Sequence, residues 1–213
     1  LISLNPSGRH LLDPCIGKGE MVFPFLEKEI EVDGLDVIKH SNHEKVNFEK
    51  RDFLSYYSNR KKELTSKNYI SDKYDYYVAN PPYKSHKSGY IKSNKARLEN
   101  IFPYVGSLNI YSMFISALID FAKPGALIGI ISQDSFLNAR GYEPLRKKIL
   151  SKTTVHDVIL CPLDLFSKQK VYVRTCIMIL QKGDKYQEEV RYLNRTASYL
   201  DFKKKIKSRE LPS

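Results

Sequence analysis

Short, nearly unbroken apolar runs, each closed by a turn signal, constrain this 213-residue chain most. They fall at residues 9–12, 31–37, 74–79 (Tyr-Asp-Tyr-Tyr-Val-Ala), 126–132 (Ala-Leu-Ile-Gly-Ile-Ile-Ser), 155–160 and 172–181, with a weaker one at 46–48. A strand apolar on both sides must be covered on both faces, which is the situation of a parallel sheet between helices. Helix-period stretches alternate with these runs. Residues 109–122 repeat Ile110, Met113, Phe114, Ala117, Leu118 and Phe121, then stop at Lys123-Pro124-Gly125, and residues 142–150 are amphipathic. The pattern predicts an α/β fold: a Rossmann-like, mostly parallel sheet with helices on both faces. The runs at 155–160 and 172–181 are joined only by a loop, too short for a parallel crossover. One antiparallel strand near the C-terminal end is therefore expected. Residues 56–73 are polar and rich in Lys, Ser and Asn, and read as a surface insertion. The stripe on 109–122 reads as core packing alone.

A hydrophobic content of 42% suits one domain with a proper core, and a formal net charge of +11 favours a polyanionic partner. Three scattered cysteines (Cys15, Cys161, Cys176) make no disulfide framework and fit a reducing cytoplasm. No stretch approaches a membrane span, and no secretory leader is visible. The chain begins at Leu1, inside what reads as the end of a helix, and closes in a lysine-rich tail, as expected of a piece of a longer protein. Residues 1–185 are expected to form that domain and 186–213 a basic linker or tail.

The chemistry gathers at strand ends, where open α/β sheets bind ligands. The run at 74–79 ends at Asn80-Pro81-Pro82-Tyr83: two prolines hold a rigid corner that offers an amide, backbone carbonyls and a ring. Amide and carbonyl oxygens accept hydrogen bonds from an NH2 group, and a ring stacks on a flat base. The first run leads into Asp13-Pro14-Cys15-Ile16-Gly17-Lys18-Gly19, a tight loop expected to open a helix from Glu20 onward. It is neither a Walker A loop nor a full dinucleotide fingerprint. Asp36 stands at the end of the second run, seventeen residues after Gly19, where an acid commonly holds a ribose diol. Asp52 either accepts from an adenine amino group, with Phe53 against the ring, or caps a helix. Lys84, Lys87, Lys92, Lys95 and Arg97 follow Tyr83 with no acid before Glu99, and suit phosphate contacts. His40 and His43 lack companions at ligand spacing, so no metal is expected. No nucleophile elbow is present.

In this order, the motifs resemble the AdoMet-dependent DNA adenine-N6 methyltransferases of restriction–modification systems in which the cofactor loop precedes Asn-Pro-Pro-Tyr. The resemblance covers roughly residues 9–181. Asp-Pro-Cys-Ile-Gly-Lys-Gly is similar to the cofactor loop and Arg-Asp-Phe-Leu to the adenine-side acid and ring. Asp-Leu-Phe-Ser-Lys-Gln-Lys-Val is similar to the segment whose Phe meets the extruded base. The resemblance implies S-adenosylmethionine (AdoMet) as cofactor. Asp13, Cys15 and Gly17 would line its methionine end, Asp36 its ribose, Asp52 and Phe53 its adenine, with Asn80 and Pro82 also beside it. Asn80 and the Pro81 carbonyl would hold the target amino group, with Tyr83 and Phe166 sandwiching the flipped base. The implied partners are double-stranded DNA, a target-recognition region outside this chain and a restriction nuclease.

The loop departs from the family's usual pattern at Cys15, Ile16 and Lys18. A Thr-Pro segment usually precedes it, and none is present here. RNA adenine methyltransferases and protein-glutamine methyltransferases share Asn-Pro-Pro-Tyr, and a non-catalytic subunit could keep the fold; these readings stay open on sequence alone.

Overall fold

The computed structural model describes residues 1–40, 44–64, 73–83, 88–106, 109–167, 172–183 and 189–208. Eight strands form one sheet in the order β3-β2-β1-β4-β5-β7-β6-β8. They are β1 (His10–Asp13), β2 (Glu31–Asp36), β3 (Val46–Lys50), β4 (Tyr76–Ala79), β5 (Leu127–Gln133), β6 (Thr153–Leu160), β7 (Thr175–Lys182) and β8 (Arg191–Leu193). β1 to β5 pair in parallel. β7 runs antiparallel to β5 and β6, as the short connection requires, while β8 lies parallel to β6 at the edge. The expected mixed sheet is the one observed.

Central strands are buried on both faces: all four residues of β4 are buried, and so are the first four of β5. The larger core covers one face with α2 (Phe53–Leu64), α5 (Ile110–Phe121) and α6 (Glu143–Lys152). Every residue of α5 except Asp120 is buried, which makes it the central helix of that layer. Fully burying one Leu, Ile or Phe contributes about 1.5–3 kcal/mol, so a helix apolar on all sides is held by packing rather than by propensity. A second core fills the other face, where Val22 and Phe25 meet Leu11, Val32 and Tyr76. Tyr76 and Phe25 lie with ring centroids 5.4 Å apart.

Three expectations need correction. The helix expected from Glu20 onward is a single turn, α1 (Phe23–Leu26), because residues 14–22 spend their length on successive turns. The segment read as an insertion from residue 56 is instead largely helix α2: Asp52 caps it by accepting from the Ser55 N–H at 2.7 Å, and Phe53, Leu54 and Tyr57 bury one face. Residues 65–72 of that insertion lie outside the described residues. Beyond residue 186, where a linker was expected, β8 joins the sheet and α7 (Tyr199–Ser208) packs Phe202 against Ile159, Cys161 and Leu193. None of the described helices is long and apolar enough to cross a membrane.

Candidate active site

The loop after β1 is held from below by acids. Asp13 is 2% exposed and accepts the Cys15 N–H at 3.0 Å, which folds the chain back over the strand end. Gly17 and Gly19 adopt φ of +52° and +76°, left-handed conformations that a side chain would strain. Asp36 then clasps loop to sheet: one carboxylate oxygen accepts the Gly17 N–H at 2.9 Å, the other the Ile38 N–H at 3.2 Å. Ile16 donates its N–H to the Leu35 carbonyl (3.0 Å), and its side chain covers Gly34, where a Cβ would stand 2.5 Å from Ile16 Cδ1. Lys18 is exposed, so it adds no cation beneath the loop.

Burial is the main cause that pushes the Asp13 carboxyl up to about 7; the Cys15 N–H opposes the shift and the charge of Asp36 adds to it. The Cys15 thiol is pushed well above its ordinary range by burial and by Asp13. It is therefore no thiolate nucleophile.

A cavity of about 480 Å³ opens above this floor. It is lined by Pro14 and Cys15 of the loop, by Asp36, Val37 and Ile38 at the end of β2, by Asp52 and Phe53 after β3, and by Asn80 and Pro82 after β4. Six of the eight residues expected around a cofactor thus share one space. Asp13 and Gly17 instead lie outside its lining and shape the loop. Asp52 caps α2 and also lines the cavity. Phe53 is 2% exposed and packs on Phe114 at 4.8 Å and Phe121 at 5.9 Å, so it supports the wall more than it offers a free face.

Asn80 is exposed and Pro81 buried at the corner after β4. The Tyr83 hydroxyl donates to Asn80 Oδ1 at 2.8 Å, and the Tyr83 ring meets Phe166 edge-on, with centroids 6.5 Å apart and planes at 62°. The two aromatic residues expected on either side of a base are therefore neighbours. Burial raises the Tyr83 phenol above its usual value, helped by the thiols of Cys161, Cys176 and Cys15, so it remains a neutral donor.

Of the lysines expected to meet phosphate, Lys92 lies in the last turn of helix α3 (Gly89–Ser93), and Lys95 opens α4 (Lys95–Ile101) and pairs with Glu99 at 3.8 Å. Neither lines the cavity. Lys84 and Lys87 lie outside the described residues, as does His43. Among the described residues, no group of three or more His, Cys, Asp or Glu is placed to hold a metal.

The sequence reading missed His40, Arg51, Tyr90, Ile110 and Phe114, all of which line the cavity. Ile110 and Phe114 correct the reading of α5 as core alone, because its first turn is both core and wall. A larger cleft of about 900 Å³ lies over α5 between α2 and α6. Its polar floor is internally paired, with Asp120 accepting from Tyr57 at 2.5 Å and from Lys148 at 2.7 Å, and it contains none of the strand-end residues.

Comparison with known proteins decides the family. The model of a family described as N-6 DNA Methylase matches residues 3–211. The chain belongs to the N-6 DNA methylase family. Among curated relatives, it is 25% identical over 222 residues to the type I restriction enzyme MjaIX methylase subunit of Methanocaldococcus jannaschii, covering 92% of this chain and 38% of that protein. It is 27% identical over 158 residues to the type II methyltransferase M.VspI of a Vibrio species, covering 67% of this chain and 36% of that one. The chain thus spans little more than a third of the length of these relatives.

Solved structures share the fold. A Listeria monocytogenes protein assigned to the class I S-adenosylmethionine-dependent methyltransferases superposes with a TM-score of 0.65 at 20% identity, covering 94% of this chain and 63% of that one. A protein assigned as the modification subunit of a type I restriction enzyme from Vibrio vulnificus gives 0.67 at 11% identity, covering 96% and 49%. The sheet of this N-6 DNA methylase family member is thus the class I methyltransferase sheet, with its strand-end cavity at the C-terminal edge of β1, β2 and β4.

Proposed function

We propose that this chain transfers the methyl group of AdoMet to the exocyclic N6 of adenine in double-stranded DNA, as the catalytic part of a restriction–modification system. One observation carries the reading: a single cavity joins the loop after β1 and the acids at the ends of β2 and β3 to Asn80 and Pro82. A volume of about 480 Å³ suits a small cofactor. Val37, Ile38, Leu54 and Phe114 supply apolar walls for a base, while Asp36 and Asp52 supply acceptors for hydroxyl and amino groups. Asp13 and Asp36 make the floor of the loop acidic, which favours a cation above it. These residues fit AdoMet, which when bound supplies an electrophilic methyl group on a sulfonium.

The other half of the chemistry belongs to the corner after β4. The N6 nitrogen of adenine is a poor nucleophile because its lone pair is delocalised into the ring. Asn80 Oδ1 and the Pro81 carbonyl accept its two hydrogens and favour a pyramidal nitrogen aimed at the cofactor end of the cavity. Asn80 Oδ1 already accepts from Tyr83, and an amide oxygen has a second lone pair for the substrate. Tyr83 and Phe166 stack on the extruded base and offset part of an unstacking cost of a few kcal/mol. Their present edge-on contact must rotate toward parallel to admit a base. Lys84, Lys87, Lys92 and Lys95 lie in the stretch following this corner and contact phosphate, and the lysines of α7 lead toward a target-recognition region. The reaction belongs in the cytoplasm.

The test uses the protein with whatever partner subunits it carries in the cell. It is incubated with methyl-labelled AdoMet and separate pools of duplex DNA, RNA and protein, and the labelled product is identified after digestion. Label on N6-methyladenine in DNA is expected. Label in RNA or on glutamine overturns the substrate, and no label together with no AdoMet binding overturns the reading.

A further inference from the structure

The end of β5 and the end of β6 both adjoin the start of β7, where Gln133 stands opposite Thr175 and Leu160 opposite Cys176. Asp134 follows β5 directly, and its N–H donates to the Arg174 carbonyl at 3.0 Å, which fixes it against the residue before β7. Its Oδ2 accepts from two guanidiniums, Arg195 Nη2 at 2.5 Å and Arg174 Nε at 3.3 Å. Asp134 and Arg195 are largely enclosed, at 12% and 18% side-chain exposure, whereas Arg174 is 67% exposed. Arg195 Nη1 is buried with no hydrogen-bond partner among the described residues.

The trio is tied to the loop that carries Phe166 through the end of β6. Asp134 and Arg195 act electrostatically on the thiols of Cys161 and Cys176, and those thiols act on the Tyr83 phenol. Cys161 also opens the loop that carries Phe166, and its N–H donates to the Thr175 carbonyl at 2.9 Å, one residue from Arg174. A purely structural role explains Arg195, whose bond to Asp134 is short and enclosed. It explains Arg174 poorly, because an ion pair this exposed adds little to stability. Two guanidiniums on one carboxylate leave the cluster with a net positive charge. An arginine tethered through Nε keeps its two Nη groups available, the fork that matches phosphate oxygens.

Resting on the DNA-methylation reading above, we propose that Arg174, tethered by Asp134 and backed by Arg195, grips a backbone phosphate beside the extruded adenine. It thereby seats the duplex against Tyr83 and Phe166. Arg174 contacts substrate; Asp134 and Arg195 are positioning residues.

The experiment compares wild type, Arg174→Gln and Arg174→Lys in the complex that methylates DNA. It measures AdoMet affinity, KM and kcat for duplex DNA, and DNA affinity across a salt series. Losing one charge-assisted phosphate contact raises KM about ten-fold in Arg174→Gln, with kcat falling far less. The slope of log affinity against log salt drops by about one unit. Arg174→Lys keeps the slope and recovers much of the KM, while AdoMet affinity is unchanged in both variants. DNA methylation with KM and salt slope unaltered in Arg174→Gln overturns the clamp and leaves the methylation reading standing. Loss of AdoMet binding in Arg174→Gln shows a structural role and also overturns it. Wild-type protein that methylates no DNA overturns the underlying reading and the clamp together.

Discussion

At the scale of single residues, the loop proposed to hold the cofactor is tuned by Asp13. Burial pushes its carboxyl up to about 7, against 3.8 ordinarily. A raised carboxyl pKa means that the folded state holds the proton more tightly than the unfolded state does. The associated stability is complete below about pH 4 and is lost as pH rises through about 7. At roughly 1.4 kcal/mol per pH unit this amounts to a few kcal/mol at most. Chemical denaturation between pH 5 and 8 is expected to show falling stability in wild type and a flatter profile in Asp13→Asn, which keeps an oxygen to accept the Cys15 N–H. A cation bound above the loop favours the ionised form, so AdoMet binding near pH 6.5 should release protons, seen as a buffer-dependent enthalpy in titration calorimetry.

Tyr83 divides into a hydroxyl, bonded to Asn80, and a ring, set against Phe166. Tyr83→Phe removes one hydrogen bond and keeps the stacking surface, so capture of the extruded base should change only a few-fold. Tyr83→Ala removes the ring, and stacking is worth about 1–3 kcal/mol per base. A fluorescent adenine analogue at the target position should report a loss of base capture of roughly ten- to a hundred-fold in the alanine variant. Equal effects of the two substitutions would assign the role to the hydroxyl.

At the scale of elements, the seating of the loop on β2 depends on Gly34. A Cβ there would stand 2.5 Å from Ile16 Cδ1, and Ile16 can move only by shifting the loop that Asp36 clasps. Gly34→Ala is expected to weaken AdoMet binding about ten-fold or more while DNA binding in the absence of cofactor stays near wild type, checked by parallel titrations. Phe53→Ala deletes the ring that joins Phe114 and Phe121, and should cost about 3–5 kcal/mol on denaturation.

The elements also show what a sequence makes legible. β4 and β5 are unbroken apolar runs closed by proline or a polar residue, and such runs announce a buried parallel strand directly. α2 was hidden because only Phe53, Leu54 and Tyr57 of its first turns are buried, with polar residues following. β8 is three residues long with only Leu193 buried, below what alternation can register. The candidate site was legible where chemistry is concentrated in one motif, at Asn80–Tyr83 and the loop from Asp13. Ile110 and Phe114 were not, since helical periodicity finds a buried face without telling whether core or cavity lies against it. Asp52 held two readings in sequence because a cap and a ligand acceptor ask for the same residue type.

For the whole molecule, the strand order puts the two halves of the proposed reaction on a single sheet edge. The β1, β2 and β3 ends supply the loop and acids; the end of β4 supplies the Asn80 amide and the Tyr83 ring; the ends of β5, β6 and β7 bring Phe166 and the Arg174–Asp134–Arg195 cluster. A net charge of +11 adds a long-range attraction for polyanions. Association with DNA should therefore slow steeply between low and physiological salt, while AdoMet affinity, set inside a cavity, should barely change.

The most direct measurement takes wild type and Asn80→Ala side by side, determining AdoMet affinity and the rate of N6-methyladenine formation in duplex DNA. Asn80 is exposed at the corner and lines the cavity, so removing its amide should spare the fold. The account predicts AdoMet affinity within about two-fold of wild type and transfer slowed by a hundred-fold or more, the scale of losing one transition-state partner. N6-methyladenine formed by Asn80→Ala at the wild-type rate would contradict it.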